Sequence, residues 1–300
     1  MKMAIFNLAC YFFGCLWSVF FGLRGLPIIS LIGVSFLISL QLTFTRKESE
    51  KLFIQDLILL PIPSFFGLFL EMIFIKTGAL DYAGDHSIFP PLWMLILYPL
   101  FSQLINHSLL QVSGDMATTF ILGFLGVPLS YIAGNIINGI AFPRSLFFTW
   151  IVLGTCWGYF LCFLKKVAKQ IQIAADKTFE EKESKKPLKL FYDGSCPICS
   201  KEAYILQKDD QKNSMRFIDI ASSDFLKENE GISYETAMSK MHAIDDKGNV
   251  LTGIDAFAKA YARSGKLLLS TLLNISFLRP FLKISYSVFA KHRKFLTWRS

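Results

Sequence analysis

The residues best suited to chemistry in this chain are two cysteines two residues apart, in the stretch Leu190-Phe191-Tyr192-Asp193-Gly194-Ser195-Cys196-Pro197-Ile198-Cys199. The apolar run before them predicts a strand. Pro197 suits a first helical turn, where no N–H bond is lost. A thiol at such a helix start meets backbone N–H groups that lack intrahelical partners, together with the positive end of the helix dipole. Both favour the thiolate, which is the reactive form. Cys196 is then the attacking sulfur. Cys199, expected one turn in and more shielded, resolves the mixed disulfide. A structural zinc site would need four ligands, and beyond the two thiols this part of the chain supplies only His242 and His292. An inert pair and a metal-binding pair stay open beside redox exchange.

The elements that must position this pair are short and alternate in type. Strands are expected over 188–192 and 215–220, with a helix over 197–208 between them and a short helix over 234–240. The run Asp245-Asp246-Lys247-Gly248 between two apolar stretches is a hairpin signal. A helix over 254–263 follows, with Ala and Phe on one face. Strand–helix–strand followed by hairpin–helix is the order of an α/β thioredoxin-like domain, expected over 188–264.

The motif Asp193-x-x-Cys196-x-x-Cys199, led by Phe191-Tyr192, resembles the signature of the DCC family of predicted thiol-disulfide oxidoreductases. Met241-His242-Ala243-Ile244 and Gly253-Ile254-Asp255-Ala256 resemble that family's later strand and helix. The resemblance covers about 188–282. It implies a thioredoxin-like fold with Cys196 and Cys199 as the redox pair and Asp193 as a third signature residue. Asp193 would cap the helix or relay a proton to Cys199; a plain turn-forming Asp before Gly is the competing reading. Thioredoxins carry a cis-proline beside the disulfide, before a later strand. Here no proline lies between Pro197 and Pro280, which sets this site apart from that of a dithiol reductase of thioredoxin type.

The rest of the chain is of another kind. The chain as a whole is 53% apolar and 15% aromatic, with 30 phenylalanines. Its charged fraction of 18% falls below the roughly 25% of globular proteins. This composition excludes intrinsic disorder and a purely soluble protein. Six cysteines are too few and too unevenly placed for a disulfide-built secreted scaffold. Six apolar segments long enough to span a bilayer are expected over 5–23, 26–44, 52–75, 92–110, 120–142 and 146–164, with five spans as the competing count. Because apolar segments keep recurring, the first is expected to be a span and not a cleavable signal. Pro61 and Pro63 should kink the third. Pro91-Leu92-Trp93, Asn106-His107-Ser108-Leu109 and Gly126-Val127-Pro128-Leu129-Ser130-Tyr131-Ile132-Ala133-Gly134 resemble motifs of an uncharacterised bacterial multi-span inner-membrane family over about 6–163. That resemblance implies location and no known reaction.

With the N-terminus inside, Lys2, Arg46, Lys47, Lys51, Lys165, Lys166 and Lys169 fall on the cytoplasmic side, against Arg24, Lys76 and Arg144 opposite. This bias predicts a multi-pass inner-membrane protein with a cytoplasmic C-terminal domain. The organisation expected is a transmembrane bundle over 1–164, a charged linker over 165–187, the thioredoxin-like domain over 188–264 and a basic tail over 265–300. From Ala256 to Ser300 there are nine basic residues and no acid, so most of the net charge of +8 lies there. The bases alternate with Leu, Phe, Ile, Trp and Tyr. That pattern reads as amphipathic helices on an anionic membrane surface, or as part of the soluble domain's core, and not as a nucleic-acid site.

Polar residues within apolar segments are functional candidates by default. Here they are Glu71, Asn106, His107, Ser130, Tyr131, Asn135 and Asn138. Each can equally be hydrogen-bonded within the bundle, with Asn135 and Asn138 sharing a helix face. Gly126, Gly134 and Gly139 are candidates for close helix approach. Cys10, Cys15, Cys156 and Cys162 read as small apolar fillers, with an electron relay as the sharper alternative. The function expected is membrane-anchored thiol-disulfide exchange with a protein or small-molecule disulfide or thiol, using no cofactor and no metal. The competing class is a membrane transporter or lipid-binding protein whose thioredoxin-like domain is regulatory or metal-binding.

Overall fold

The computed structural model describes residues 2–83, 88–110, 114–184, 186–228 and 231–297. Lys185 and Arg299, counted above among the charges, lie outside the described residues. The chain divides into two compact units, Met1–Lys169 and Gln170–Ser300.

The first unit is helical. Helices α1 (Lys2–Gly22) and α2 (Pro27–Glu48) form a hairpin whose turn holds Gly25 at φ +71° and starts α2 on Pro27. Helices α3 (Glu50–Leu59) and α4 (Pro61–Lys76) meet at Leu60, which keeps helical angles and its bond to the Asp56 carbonyl. Pro61 therefore interrupts the run without ending it, as its missing N–H requires. After a two-residue strand, β1 (Asp81–Tyr82), comes a segment expected as one span. It is instead broken into α5 (Leu92–Leu95), α6 (Leu97–Leu104) and a π-helical turn, Ile105–Leu109. This run is central, with α6 packed on α1, α2, α3 and α4. Helix α7 (Met116–Ile121), a second π-helical turn (Leu122–Gly126) and α8 (Val127–Ile136) form the next run. It starts and ends earlier than the expected 120–142. The Asp115 carboxylate caps it through the Thr118 N–H, and Asn138, at φ +58°, turns the chain out of it. Strand β2 (Ile140–Ala141) then pairs antiparallel with β1. Helix α9 runs over Leu146–Lys182.

Among the described residues five helical runs are long and apolar enough to cross a membrane, Met3–Gly22, Pro27–Glu48, Glu50–Lys76, Met116–Ile136 and Leu146–Lys182, and the bent pair Leu267–Asn274 with Arg279–His292 makes a sixth only if taken as one span. The broken 92–110 segment is not among them. The unit is apolar outside and polar inside. Leu16 and Phe147 are 71% and 78% exposed, whereas Asn7, Ser30, Gln41, Asp56, Glu71 and Gln103 are fully buried. A water-soluble bundle reverses that distribution. The close helix approach expected at Gly126 lies elsewhere. A Cβ on Gly126 would meet nothing within 4 Å, while one on Gly123 would stand 2.7 Å from the Trp157 carbonyl and 2.8 Å from the Gly158 backbone. Small residues facing each other let α9 and the second π-helical turn touch backbone to backbone.

The second unit opens with the end of α9. The charged stretch expected as a linker stays helical to Lys182, because Ile171, Ala174, Ala175 and Thr178 are buried along one face. The Thr178 hydroxyl lies 3.0 Å from that of Ser270. Strands β3 (Leu188–Tyr192), β4 (Met215–Asp219), β5 (His242–Ile244) and β6 (Val250–Thr252) form a sheet of order β4-β3-β5-β6. The β3–β4 pair is parallel and the other two are antiparallel. Parallel pairing requires a crossover, and helix α10 (Pro197–Asp209) supplies it. Alternation along the strands fills both faces. Leu188, Leu190, Met215 and Ala243 pack with Leu206 of α10 and with Ala256 and Ala260 of α13 (Ile254–Arg263). Phe191, Ile218 and Ile244 pack with Phe225 of α11 (Ser223–Glu228) and Ala237 of α12 (Tyr234–Ser239). This is a thioredoxin-like sheet with helices on both faces.

Helices α14 (Leu267–Asn274) and α15 (Arg279–Thr297) follow. They complete the core as well as forming a surface. Leu267 and Ile275 are buried, and Tyr286 packs against the sheet and accepts the Met241 N–H at 2.9 Å. Arg263, buried at the end of α13, donates to Glu181 at 2.6 Å, to the Ser214 carbonyl at 2.9 Å and to the Lys186 carbonyl. A buried guanidinium is tolerable because its donors are matched in this way.

Two outcomes follow from this packing. Gly123→Val should lower stability by about 1–3 kcal/mol through overpacking, with Gly126→Ala neutral, in thermal unfolding of the full chain in detergent. At the β5–β6 turn, Asp245 accepts from the Lys247 and Asn249 N–H groups at 3.0 and 2.9 Å and from Lys259 at 3.1 Å. Burial works against its ionised form, but these bonds prevail and hold its carboxyl well below the usual carboxylate range. The stability so gained is present above about pH 4, where the unfolded chain ionises, and is lost as pH falls through the lowered value. Asp245→Asn should cost about 1–3 kcal/mol at pH 7, with the gap to the parent chain closing below about pH 3 in calorimetry.

Candidate functional site

The cysteine loop is built on the C-terminal ends of two parallel strands. Tyr192 pairs with Asp219, and the Ile220 N–H returns to the Tyr192 carbonyl at 2.9 Å. Just beyond, the Gly194 N–H donates to the Asp219 carboxylate at 2.9 Å. A Cβ on Gly194 would stand 2.1 Å from that carboxylate, so the position admits glycine alone without a shift. The Asp193 carboxylate accepts the Ser195 N–H at 3.1 Å and the Ser195 hydroxyl at 2.5 Å. These are the contacts of a turn-forming Asp. Cys196, with extended backbone angles, is itself the residue before α10 and makes no side-chain capping bond. Pro197 occupies the first helical position, as expected.

No disulfide joins Cys196 to Cys199; both are thiols. Their exposure reverses the expected order. Cys196 is only 8% exposed, while Cys199 is half-buried. The loop drawn onto Asp219 carries Cys196 down with it, whereas Cys199 faces a cavity of about 300 Å³. Asp193, Ile198, Glu202 and Tyr261 line that cavity near Cys199, with Lys240 and Met241 across from them and Tyr286 and Phe289 of α15 closing one side. The lining is mostly apolar. Burial, followed by the neighbouring Glu202 carboxylate, pushes the Tyr261 hydroxyl well above its ordinary pKa, so it stays protonated. His242 is fully buried on β5, with Nδ1 2.8 Å from the Lys240 carbonyl. Burial pushes its pKa down, which keeps the ring neutral. Among the described residues no group of three or more His, Cys, Asp or Glu side chains is placed to hold a metal.

The other candidates separate into distinct settings. Glu71 and Tyr131 come together, with Tyr82 and Tyr98, which sequence reasoning did not single out. All three phenols donate to the Glu71 carboxylate, at 2.5 Å from Tyr131, 2.6 Å from Tyr82 and 2.7 Å from Tyr98. His107 and Asn106 also meet an unforeseen partner, Asp56 of α3, each at 2.8 Å. Asn135 and Asn138 do not share a helix face, because α8 ends at Ile136. Asn135 instead donates to the Ile140 carbonyl at 2.7 Å. Ser130 bonds its own helix at Val127. Cys10 is buried in the α1–α2 packing, and Cys162 points to the Met116 carbonyl at 3.5 Å.

Sheet order and the position of the cysteine pair, on the helix that follows the first strand, define a thioredoxin-like domain joined to an apolar helical unit. The chain belongs to the DUF2878 family, described as proteins of unknown function, which matches residues 4–163. Residues 190–299 match the DCC1-like thiol-disulfide oxidoreductase family, in keeping with both resemblances seen in the sequence. A protein of Arabidopsis thaliana described as "Uncharacterized protein At5g50100, chloroplastic" is 34% identical over 126 residues. The match covers 40% of this chain and 59% of that protein. No solved structure matches the chain.

The loop geometry predicts that Gly194→Ala will displace the cysteine loop from Asp219. Stability should fall by about 1–3 kcal/mol in thermal unfolding, and alkylation of Cys196 should speed up as the thiol loses its cover. Unchanged melting and unchanged labelling would remove the Gly194–Asp219 contact as the anchor.

Proposed function

We propose that the protein is a membrane-anchored thiol-disulfide oxidoreductase that works through Cys196 and Cys199. The observation that carries this reading is the placement of Cys196 immediately before the helix after β3 and of Cys199 in its first turn, in a domain matching an oxidoreductase family. The Cys196 thiolate attacks one sulfur of a substrate disulfide and forms a mixed disulfide, and the released substrate thiolate takes up a proton. Cys199 then gives up its proton and attacks the Cys196 sulfur. The second substrate thiol leaves, and the pair ends as a disulfide. Two electrons have passed to the substrate, and an external thiol must return them for another cycle. Cys196 is reached from the surface formed by Ser195, Pro197 and Ile198, all exposed. Asp193 lines the cavity beside Cys199 and holds the Ser195 turn; in this reading it positions the loop and takes the Cys199 proton.

The substrate is a protein or small-molecule disulfide with apolar character next to its sulfurs, which suits the largely apolar cavity. The helical unit holds the domain at a bacterial inner membrane; the domain lies on the cytoplasmic side when the broken 92–110 run crosses as a sixth span, since an odd number of crossings reverses that placement. A reducing cytosol keeps the pair as dithiol, so reduction of the substrate is the forward direction. Helix α15 adds a second attachment to an anionic surface. Phe281, Ile284 and Val288 are exposed beside Lys283 and Lys291.

Cys196→Ser should reduce turnover of an aromatic disulfide reporter by about 100-fold or more, and Cys199→Ser should accumulate a mixed disulfide with the substrate. A mixed disulfide trapped by Cys196→Ser instead would exchange the roles of the two sulfurs. Full turnover by both variants would discard the reaction. Asp193→Asn preserves a turn-forming acceptor, so a shifted pH profile with unchanged melting would separate proton transfer from loop support.

A further inference from the structure

The interior of the helical unit holds five buried polar atoms with no hydrogen-bond partner: Asn7 Oδ1, Gln41 Oε1, Thr45 Oγ1, Gln55 Nε2 and Gln103 Oε1. All five residues are more than nine-tenths buried. Each such atom is costly in an apolar interior and calls for an explanation, such as a bound water or ion. Three of the side chains form one connected group. The Asn7 amide donates to the Gln103 carbonyl at 3.4 Å, and the Gln41 amide donates to the Asn7 carbonyl at 3.3 Å. The Gln103 amide donates to the Ser102 hydroxyl at 3.1 Å, and that hydroxyl gives its own proton to the Pro99 carbonyl. These bonds use the NH₂ side of every amide and so fix the orientation of all three. Their oxygens are left bare. Thr45 stands one turn beyond Gln41 on α2 and adds a fourth oxygen. On the other side, Gln55 precedes Asp56, whose fully buried carboxylate is held by Asn106 and His107.

Oxygens outnumber nitrogens four to one in this set. Such an environment suits a group that brings positive charge or only donors. A sugar or other neutral polyol would need matched donors and acceptors. A divalent ion would need more carboxylate than Asp56, whose two oxygens are already engaged, can give. Neutral amide and hydroxyl oxygens are the ligands that hold alkali cations in membrane proteins. The π-helical turn Ile105–Leu109, immediately after Gln103 and packed on α1 and α3, is the kind of helix irregularity that recurs at functional sites. We infer that the helical unit binds a small monovalent cation, an alkali ion or a small protonated amine, among Asn7, Gln41, Thr45 and Gln103. This inference is independent of the cysteine chemistry.

The test uses the full chain purified in detergent and exchanged into N-methylglucamine chloride. Melting is followed at constant ionic strength as sodium, potassium or methylammonium replaces that large cation. A saturable rise of a few degrees with one of the three is expected, and which one identifies the source of the charge. Gln41→Met and Gln103→Met keep side-chain volume and remove the bare oxygens. Each should abolish the rise while melting no lower than the parent chain in the absence of small cations. Thr45→Val, an isosteric change less able to disturb folding, should raise the half-saturating concentration by about threefold or more. Melting of the parent chain that ignores cation identity would overturn the site. So would a rise that survives in Gln41→Met, or an unchanged half-saturating concentration in Thr45→Val.

Discussion

The cysteine site rests on the hydrogen bond between the Gly194 N–H and the Asp219 carboxylate. It forms because β3 and β4 are parallel and in register, with Tyr192 beside Asp219, so that both strands deliver their last residues to the same edge. The chain leaving β3 is thus tied to the chain leaving β4 before it can wander. Within three residues it must enter α10, and Pro197 fixes the angle at which it does so. Every later property of the site follows from that short path. Cys196 is drawn into cover, Asp193 is turned inward to hold Ser195, and Cys199 is rotated toward the cavity. A looser loop would leave the first sulfur exposed to any oxidant. Here access has to come past Ser195 and Ile198.

The helical unit obeys an opposite constraint. Its surface is apolar, so nothing outside it can satisfy a polar side chain, and polar residues turn inward. Three inner groups result, one of them Asp56 with Asn106 and His107, and the other two differ in kind. Around Glu71 the phenols of Tyr82, Tyr98 and Tyr131 supply three donors to one carboxylate, and Trp157 donates to the Tyr131 oxygen at 3.3 Å. That network is complete, and it pins β1, α6, α8 and α9 to a single residue of α4. Around Asn7, Gln41 and Gln103 the donors are spent on backbone carbonyls and the acceptors are left over. The first group is satisfied within the unit, while the second leaves its side-chain oxygens without a hydrogen-bond partner.

Much of this was legible in the amino-acid sequence, for stated reasons. The strand–turn–helix carrying Cys196 and Cys199 was readable because Gly, Pro and a short apolar run constrain the backbone locally. The same is true of the break at Pro61. The thioredoxin-like class followed from the order of strands and helices along the chain. Burial of individual side chains was another matter. That Cys196 would be the more covered thiol depends on Asp219, 23 residues away and marked by nothing in its own neighbourhood. Asp56 and Tyr98 were missed likewise, since a lone acid or phenol in an apolar run announces no partner. The segment 165–187 read as a brief continuation of the sixth helix and then a linker because its charges are dense, yet the helix runs on to Lys182, with Ile171, Ala174, Ala175 and Thr178 buried at helical spacing. Charge density concealed periodicity.

The position where thioredoxins place proline shows how far this site departs from theirs. Here Lys240 and Met241 precede β5, and the Met241 N–H is used, donating to the Tyr286 hydroxyl at 2.9 Å. Proline at 241 would remove that donor. The cavity wall opposite Cys199 is therefore held by a side chain arriving from α15 and not by a rigid ring within the strand. Gly253 makes room for the same tyrosine, since a Cβ there would stand 2.8 Å from its ring. Two residues from different parts of the domain, Met241 and Gly253, are thus fitted to one residue of the C-terminal helix. That helix carries Phe281 and Ile284 on its outward face and Tyr286 and Ala290 on the cavity side. A surface that engaged the outer face would act on the cavity through Tyr286, because the tyrosine cannot shift without releasing the Met241 N–H. The apolar, basic helix read from the sequence as a tail is in this way a wall of the cavity beside Cys199.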